Sequence, residues 1–117
     1  MVHNQFPLPY RIRRADDFRR AYQRRSSVAD RRIVIFGYPN GLPHARLGIS
    51  ASRRLGGAVF RNRWKRLLRE AFRLTRTDLP KGIDLIVIPR FEVTPTLASL
   101  LDSLPRLATR VAKKIES

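Results

Sequence analysis

Cysteine is absent from this 117-residue chain, which excludes disulfides and thiolate metal sites as sources of stability. A reducing, cytoplasmic setting is compatible with that absence. Histidine occurs only at His3 and His44, so imidazole acid–base chemistry has little raw material. No apolar run reaches membrane-spanning length, and Met1 to Pro9 contains no apolar segment of signal-peptide length, which argues against secretion. Acids are scarce too: nine Asp and Glu stand against 25 Lys and Arg, a formal net charge of +16. Lysine itself is rare. Lys65, Lys81, Lys113 and Lys114 are the only four, so most positive groups are planar guanidinium forks suited to two-point phosphate contact.

What is present is a basic chain with 43% hydrophobic residues, enough for one modest core. Residues 1–117 are expected to form a single domain with a flexible N-terminal segment and a frayed C-terminal tail. A charge imbalance of this size repels itself unless a polyanion shares the surface. Nucleic acid is the obvious polyanion; an anionic membrane surface, or a basic surface without a dedicated partner, is the alternative. The charge is concentrated. Residues 10–32 carry nine Arg against three Asp, net +6, and residues 53–76 carry nine Arg or Lys against one Glu, net +8. These two segments are the expected RNA footprints.

Along the chain, Pro7 and Pro9 suggest an extended entry over residues 1–13 from which Phe6, Leu8 and Tyr10 can pack on the domain. Asp16 or Asp17 can cap a short helix that places Phe18, Ala21 and Tyr22 on one face. Ile33 to Tyr38 reads as a strand closed by the Pro39-Asn40-Gly41 turn. In Arg46 to Ser52, Leu47, Ile49 and Ala51 alternate with small or polar residues, giving a core face and a second face with room for a ligand chain. After Gly56-Gly57 a helical pattern starts near Arg61 and runs to about Thr77. Trp64, Leu67, Leu68 and Ala71 form its apolar stripe with Phe72 at the edge, while Asn62, Arg66, Arg69, Arg73 and Arg76 fall opposite. Glu70 can pair with Arg66 at i,i+4. Ile83 to Ile88 is nearly continuous in apolar character, as suits a central strand covered on both faces. A last helix is expected from about Thr94-Pro95, bent or interrupted at Pro105 and fraying from Lys113. Helices packed on one sheet, an α+β or split α/β sandwich, follow from this order. Handedness and strand order stay open.

Nuclease chemistry by protein groups needs positioned acids and bases or metal-holding carboxylates. Here Asp16 and Asp17 read better as a helix cap and first-turn acid than as a metal pair. Asp78, Asp84, Glu92 and Asp102 form no ligand motif; Asp84, which interrupts an apolar strand, reads as an edge or strand-start acid. Gly56-Gly57 lacks phosphate-loop spacing. No residue is assigned a catalytic or metal-binding role.

The run Arg61-Asn62-Arg63-Trp64-Lys65-Arg66-Leu67-Leu68-Arg69-Glu70-Ala71-Phe72-Arg73 resembles the arginine-asparagine-arginine signature of the bacterial ribonuclease P protein component, the small subunit of the ribonucleoprotein that matures the 5′ end of transfer RNA. Leu47 through Val59, Asp17-Phe18, Tyr22 and the strand containing Phe36 continue the resemblance, which spans about residues 10–90. Gly57 departs from the asparagine usual in this turn, and Arg53-Arg54 replaces a common lysine pair.

The resemblance implies an α-β-β-β-α-β-α sandwich with a left-handed βαβ crossover, similar to a domain of a small-subunit ribosomal protein. It also implies catalysis by a large RNA whose bound magnesium activates water, with the catalytic ribonuclease P RNA and precursor transfer RNA as partners. Neither a membrane nor an obligate protein partner is expected. On this reading Arg53, Arg54, Arg61, Asn62, Arg63, Lys65, Arg66, Arg69 and Arg73 contact RNA, and Phe18, Tyr22 and Phe36 contact the 5′ leader. The bland alternatives are a solvated or ion-paired surface for the cations, a helix cap for Asn62, and core packing for the aromatics; Trp64 reads as core. The rival functions are a ribosome-associated RNA-binding protein, a DNA-binding protein and an independent ribonuclease.

Overall fold

Helix α1 (Ala15–Arg24), strands β1 (Ser27–Ala29), β2 (Ile33–Pro39) and β3 (Arg46–Ile49), helix α2 (Ala58–Thr75), strand β4 (Ile83–Pro89) and helix α3 (Leu97–Glu116) follow one another along the chain. They are seen in a computed structural model that describes residues 8–91 and 93–116; His3, Phe6, Glu92 and the side chain of Leu8 lie outside the described residues. This is an α+β fold in which a mixed sheet is flanked by helices, and its elements fall in the α-β-β-β-α-β-α order.

The sheet runs β1-β2-β4-β3. β2 is antiparallel to both β1 and β4, while β3 lies parallel to β4 at the edge. Strand β4 is central, and every residue in it except Ile88 is buried, as its unbroken apolar run requires. On one face α2 and α3 pack against each other and the sheet. Trp64, Leu68, Ala71 and Phe72 meet Leu100, Leu104, Leu107 and Val111 over Ile33, Ile35, Leu85 and Val87. On the other face α1 closes a smaller cluster of Ile12, Ala21 and Ile86.

Several local expectations change. Helix α1 starts one residue before Asp16, with Arg14 as its N-cap and no side-chain cap bond. Asp16 and Asp17 are instead first-turn acids that pair with Arg19 at 2.6 Å and Arg20 at 3.1 Å. Helix α2 begins at Ala58, capped by the backbone of Gly57, so Asn62 is interior and exposed rather than a cap. Phe72 is fully buried rather than marginal, because α3 covers that side of α2. Pro105 does not break α3. Its ring is carried within a helix whose Leu100, Ser103, Leu104, Leu107, Ala108 and Val111 are all buried, and tertiary packing of this extent outweighs one missing amide. The last turn, expected to fray, is helical through Glu116, and Lys114 Nζ donates to Ser27 O at 2.9 Å.

The tight turn between β1 and β2 is clasped to α3 by Asp30. Its Oδ1 accepts the amides of Arg32 (2.8 Å) and Ile33 (3.0 Å), and its Oδ2 accepts the Ser103 hydroxyl (2.7 Å) and Arg106 Nη2 (2.8 Å). Burial alone would raise this carboxyl's pKa. The Ser103 hydroxyl, the two amides and Arg106 together outweigh it and lower the pKa to about 2. A carboxylate depressed from its ordinary value near 3.9 contributes stability that is complete above about pH 5 and is lost as pH falls through about 2, here about 2 kcal/mol. Urea unfolding from pH 6 to pH 2 is expected to show Asp30→Asn losing about that much less than the parent over this interval. Parallel pH profiles would remove Asp30 from the acid response.

Candidate nucleic-acid interface

Burying one side of α2 forces its cations outward. Asn62, Arg63, Arg66, Arg69 and Arg73 are exposed, and Arg61 and Lys65 are half-buried. They do not act alike. Arg61 Nε donates to Gly56 O at 3.2 Å, tying the helix start to the preceding turn. Glu70 pairs with Arg73 at 2.6 Å rather than with Arg66; an i,i+3 partner is as near on the helix surface as the expected i,i+4 one. Arg73 is thus partly neutralised, and Arg66 keeps its charge for the surface.

Because β3 is an edge strand, Lys65 and Arg69 reach past it toward the α1 face of the sheet. There they line a narrow cleft of about 150 Å³ with Phe18, Arg11, Ile12 and the β3 residues Leu47, Gly48 and Ile49. Burial and the neighbouring charge of Arg11 both push the pKa of Arg69 below its ordinary value. Two guanidinium groups that repel one another across a cleft favour an anion between them.

Arg11 is positioned by backbone pairing. It forms a parallel bridge with Leu47, and the Ile12 amide donates to Leu47 O at 3.0 Å. The entry segment is therefore part of the sheet at this point. Its Tyr10 packs beside Phe72 and lies under the guanidinium of Arg76, 4.5 Å from the ring centroid. Arg11 had only its place in a basic segment to mark it; the pairing that brings it to the cleft leaves no trace in local periodicity.

The aromatic residues converge on the α1 face of the sheet. Phe18, Tyr22, Phe36 and Tyr38 are partly buried against Ile12, Ala21 and Ile86, and Tyr22 meets Phe36 edge-on at 5.0 Å. One row across the sheet joins Ser27, Phe36, Ile86 and Gly48. The open space expected above β3 is partly filled at Gly48, where an added Cβ would lie 2.9 Å from Phe18 Cζ. Absence of a side chain there seats the Phe18 ring.

Arg53 and Arg54 are exposed in the short turn Arg53–Leu55, away from the Phe18 cleft. Arg54 lies 5.9 Å from the ring centroid of Phe91, beside a hollow of about 380 Å³ whose lining includes Val34, Ser52, Ile88 and Arg90. Phe91, about half exposed, escaped sequence reading because it sits in no periodic pattern.

Asp84 is a strand-start acid, second in β4, but β4 is central and not an edge. It is buried in β4 and accepts Arg46 Nε at 2.8 Å, Arg46 Nη2 at 2.6 Å and Asn40 Nδ2 at 2.9 Å. Asp17 adds a longer contact to Arg46 at 3.4 Å. The arrangement locks β2, β3, β4 and the start of α1 at one end of the cleft. His44 is half-buried; its ring lies edge-on to Tyr10 at 4.7 Å, and its Nδ1 is 3.0 Å from Ala45 O. Among the described residues no three His, Asp or Glu side chains are grouped as metal ligands.

The fold and this surface define a small α+β protein with a cationic cleft, lined by Phe18, between its first helix, its sheet edge and its arginine-rich helix. The chain belongs to the ribonuclease P family, whose model matches residues 6–112. It is 51% identical over 83 residues to the ribonuclease P protein component of Staphylococcus carnosus, covering 69% of this chain and 70% of that protein. Its Staphylococcus epidermidis counterpart is 41% identical over 112 residues, covering 92% and 96%. The solved RNase P protein of Staphylococcus aureus superposes with a TM-score of 0.76 at 39% identity, covering 89% of this chain and 95% of that one.

Proposed function

We propose that this chain is the cytoplasmic protein subunit of ribonuclease P: it binds the catalytic RNA and the 5′ leader of precursor transfer RNA, and assists magnesium-dependent endonucleolytic removal of that leader. The observation that carries the reading is convergence. Phe18 from α1 and Lys65 and Arg69 from α2 line one cleft, so a stacking surface and phosphate-binding cations are available to the same strand of RNA. Family membership supports the same assignment.

In this reading cleavage belongs to the RNA subunit, and the protein alone does not cleave. Arg61, Asn62, Arg63, Lys65, Arg66, Arg69 and Arg73 orient the catalytic RNA, and Arg53 and Arg54 extend the basic surface toward it or the substrate. Phe18, Tyr22 and Phe36 offer ring faces or edges to unpaired leader bases, each stack contributing roughly 1–3 kcal/mol without strong sequence preference. Magnesium, bound mainly by the RNAs, supplies activation of water. The guanidinium groups reduce repulsion between the assembled phosphates, which lets the productive ion sites fill at lower ion concentration. The same reading gives the β3–α2–β4 connection its left-handed sense and relates the sandwich to a small-subunit ribosomal-protein domain.

Cleavage of precursor transfer RNA at low magnesium tests the assignment, comparing protein alone, catalytic RNA alone and the mixture. Correct 5′ cleavage restored only by the mixture is expected. Absence of stimulation with folded protein and competent RNA would point to another RNA-binding role.

Gly48 provides a test of the cleft itself. Gly48→Ala is expected to displace the Phe18 ring and weaken binding of leader-bearing precursor to the assembled enzyme by about tenfold, the equivalent of one stack. Affinity for precursor lacking a leader should stay within about twofold. Equal losses with and without the leader would detach Phe18 from leader recognition.

A further inference from the structure

A second, larger hollow of about 610 Å³ adjoins the cleft and shares Arg11 with it. Four arginines line it, Arg11, Arg13, Arg14 and Arg46, against one acid, Asp17. The acids nearby are already committed. Asp84 holds Arg46 at 2.6 Å, and Asp17 is divided between Arg20 and Arg46. Arg13 and Arg14 are exposed, and among the described residues their side chains make neither an ion pair nor a hydrogen bond.

The frame around these two side chains is fixed. Ile12 is buried and its amide is bonded to β3, Arg14 caps α1, and the opposite wall carries His44, braced against Tyr10 at 4.7 Å. Holding Arg13 and Arg14 beside Arg11 and Arg46, where the one lining carboxylate, Asp17, already pairs with Arg20 and Arg46, raises the energy of the free surface, and an incoming anion relieves it. The hollow is several times roomier than the cleft and opens to solvent, so it suits a length of chain better than a lone ion. Through Arg11 it continues directly from the place where Phe18, Lys65 and Arg69 meet.

We propose that this hollow is a second RNA site, which takes the sugar–phosphate backbone on Arg13 and Arg14 and extends the binding track past the N-terminal side of α1. The proposal rests on the chain's reading as an RNA-binding subunit. The ligand chemistry is a run of RNA phosphodiesters, supplied by the catalytic RNA or by the precursor.

The test uses the full-length double variant Arg13→Ala/Arg14→Ala, with circular dichroism to verify folding. Affinity is measured by fluorescence anisotropy across a salt series in two arms: bacterial ribonuclease P RNA titrated with protein, and precursor transfer RNA added to preassembled enzyme. A loss of about tenfold is expected in one arm, with the log–log salt slope smaller by about 1.5, as two phosphate contacts require. Loss in the first arm assigns the phosphates to the catalytic RNA, and loss in the second assigns them to the precursor. Arg13→Lys/Arg14→Lys should recover the salt slope, and Arg13→Glu/Arg14→Glu should lose more than alanine does. If affinity and slope are unchanged in both arms while Arg66→Ala/Arg69→Ala is impaired, the second site is overturned and the proposed function stands. If the Arg66/Arg69 variant is unchanged as well, the RNA-binding reading falls with it.

Discussion

Asp84→Ala is expected to be the most destabilising single change at the edge of the cleft, at about 3 kcal/mol, which lowers the melting temperature of a chain this size by roughly 10–15 °C. Asp84 is 2% exposed and accepts three hydrogen bonds from Arg46 and Asn40. The hydrogen bonds from Arg46 to Asp84, aided by the charges of Asp84 and Asp17, raise the pKa of Arg46 against burial, which alone would lower it. Removing the carboxylate leaves a guanidinium only 20% exposed, with Asp17 at 3.4 Å as its remaining ionic contact. That contact, and partial access to water, keep the loss near the lower end for a broken buried pair. Replacing both partners, as in Arg46→Met/Asp84→Leu, should cost less than removing Asp84 alone, because no uncompensated charge stays inside. Denaturant melts of the parent, each single variant and the double variant measure the coupling. An Asp84→Ala variant within about 0.5 kcal/mol of the parent would show that the pair fixes geometry without contributing stability.

The Asp84 pair also marks where sequence reading stops. Asp84 is conspicuous as an acid in an apolar strand, but its partner lies 38 positions away, and only the parallel register of β3 and β4, with Arg46 opposite Asp84, brings them together. Nothing local encodes that register. Helix α2, by contrast, is legible from periodicity: Trp64, Leu68 and Ala71 are buried as their spacing requires, and the cations lie on the other side. Its start was missed by three residues because Gly57 caps it through backbone conformation without a side-chain acceptor. Strand β1 has only three residues and an intermediate, intermediate, exposed pattern, too short to register as alternation. Helical spacing puts Phe18 and Tyr22 on one face, and both pack with Phe36 against Ile12, Ala21 and Ile86; that Phe18 also lines the cleft depends on β3 and α2, which spacing within α1 does not record. The α1 cap, the Arg66–Glu70 pair and the break at Pro105 each followed a sound local rule, and were replaced by a neighbouring residue of equal reach or by tertiary packing.

The largest expected functional effect belongs to Arg66→Ala/Arg69→Ala. Both residues are exposed on α2, while the flanking Trp64, Leu68, Ala71 and Phe72 hold the helix in the core. Alanine has the highest helix propensity, so the substitutions remove charge without loosening the fold. The two arginines differ in setting. Arg66 stands on the outer surface with no ion pair among the described residues, whereas Arg69 faces Arg11 in the cleft, where burial and that charge both disfavour its cationic form. A phosphate entering between Arg69 and Arg11 relieves this repulsion and gains two donors at once, so Arg69 should account for more than half of the double variant's loss. Affinity for the catalytic RNA is expected to fall about 10- to 100-fold at physiological salt, and the log–log salt slope by roughly 1.5–2, one phosphate per arginine. Arg69→Lys tests the geometry of the contact: it keeps the charge but not the planar fork, and should restore the salt slope while leaving part of the affinity unrecovered. Anisotropy titrations between 50 and 400 mM salt resolve the two quantities. A double variant with unchanged slope and affinity would mean that Arg66 and Arg69 are solvated in the complex, and the cleft would then have to hold RNA through Arg11, Lys65 and Phe18.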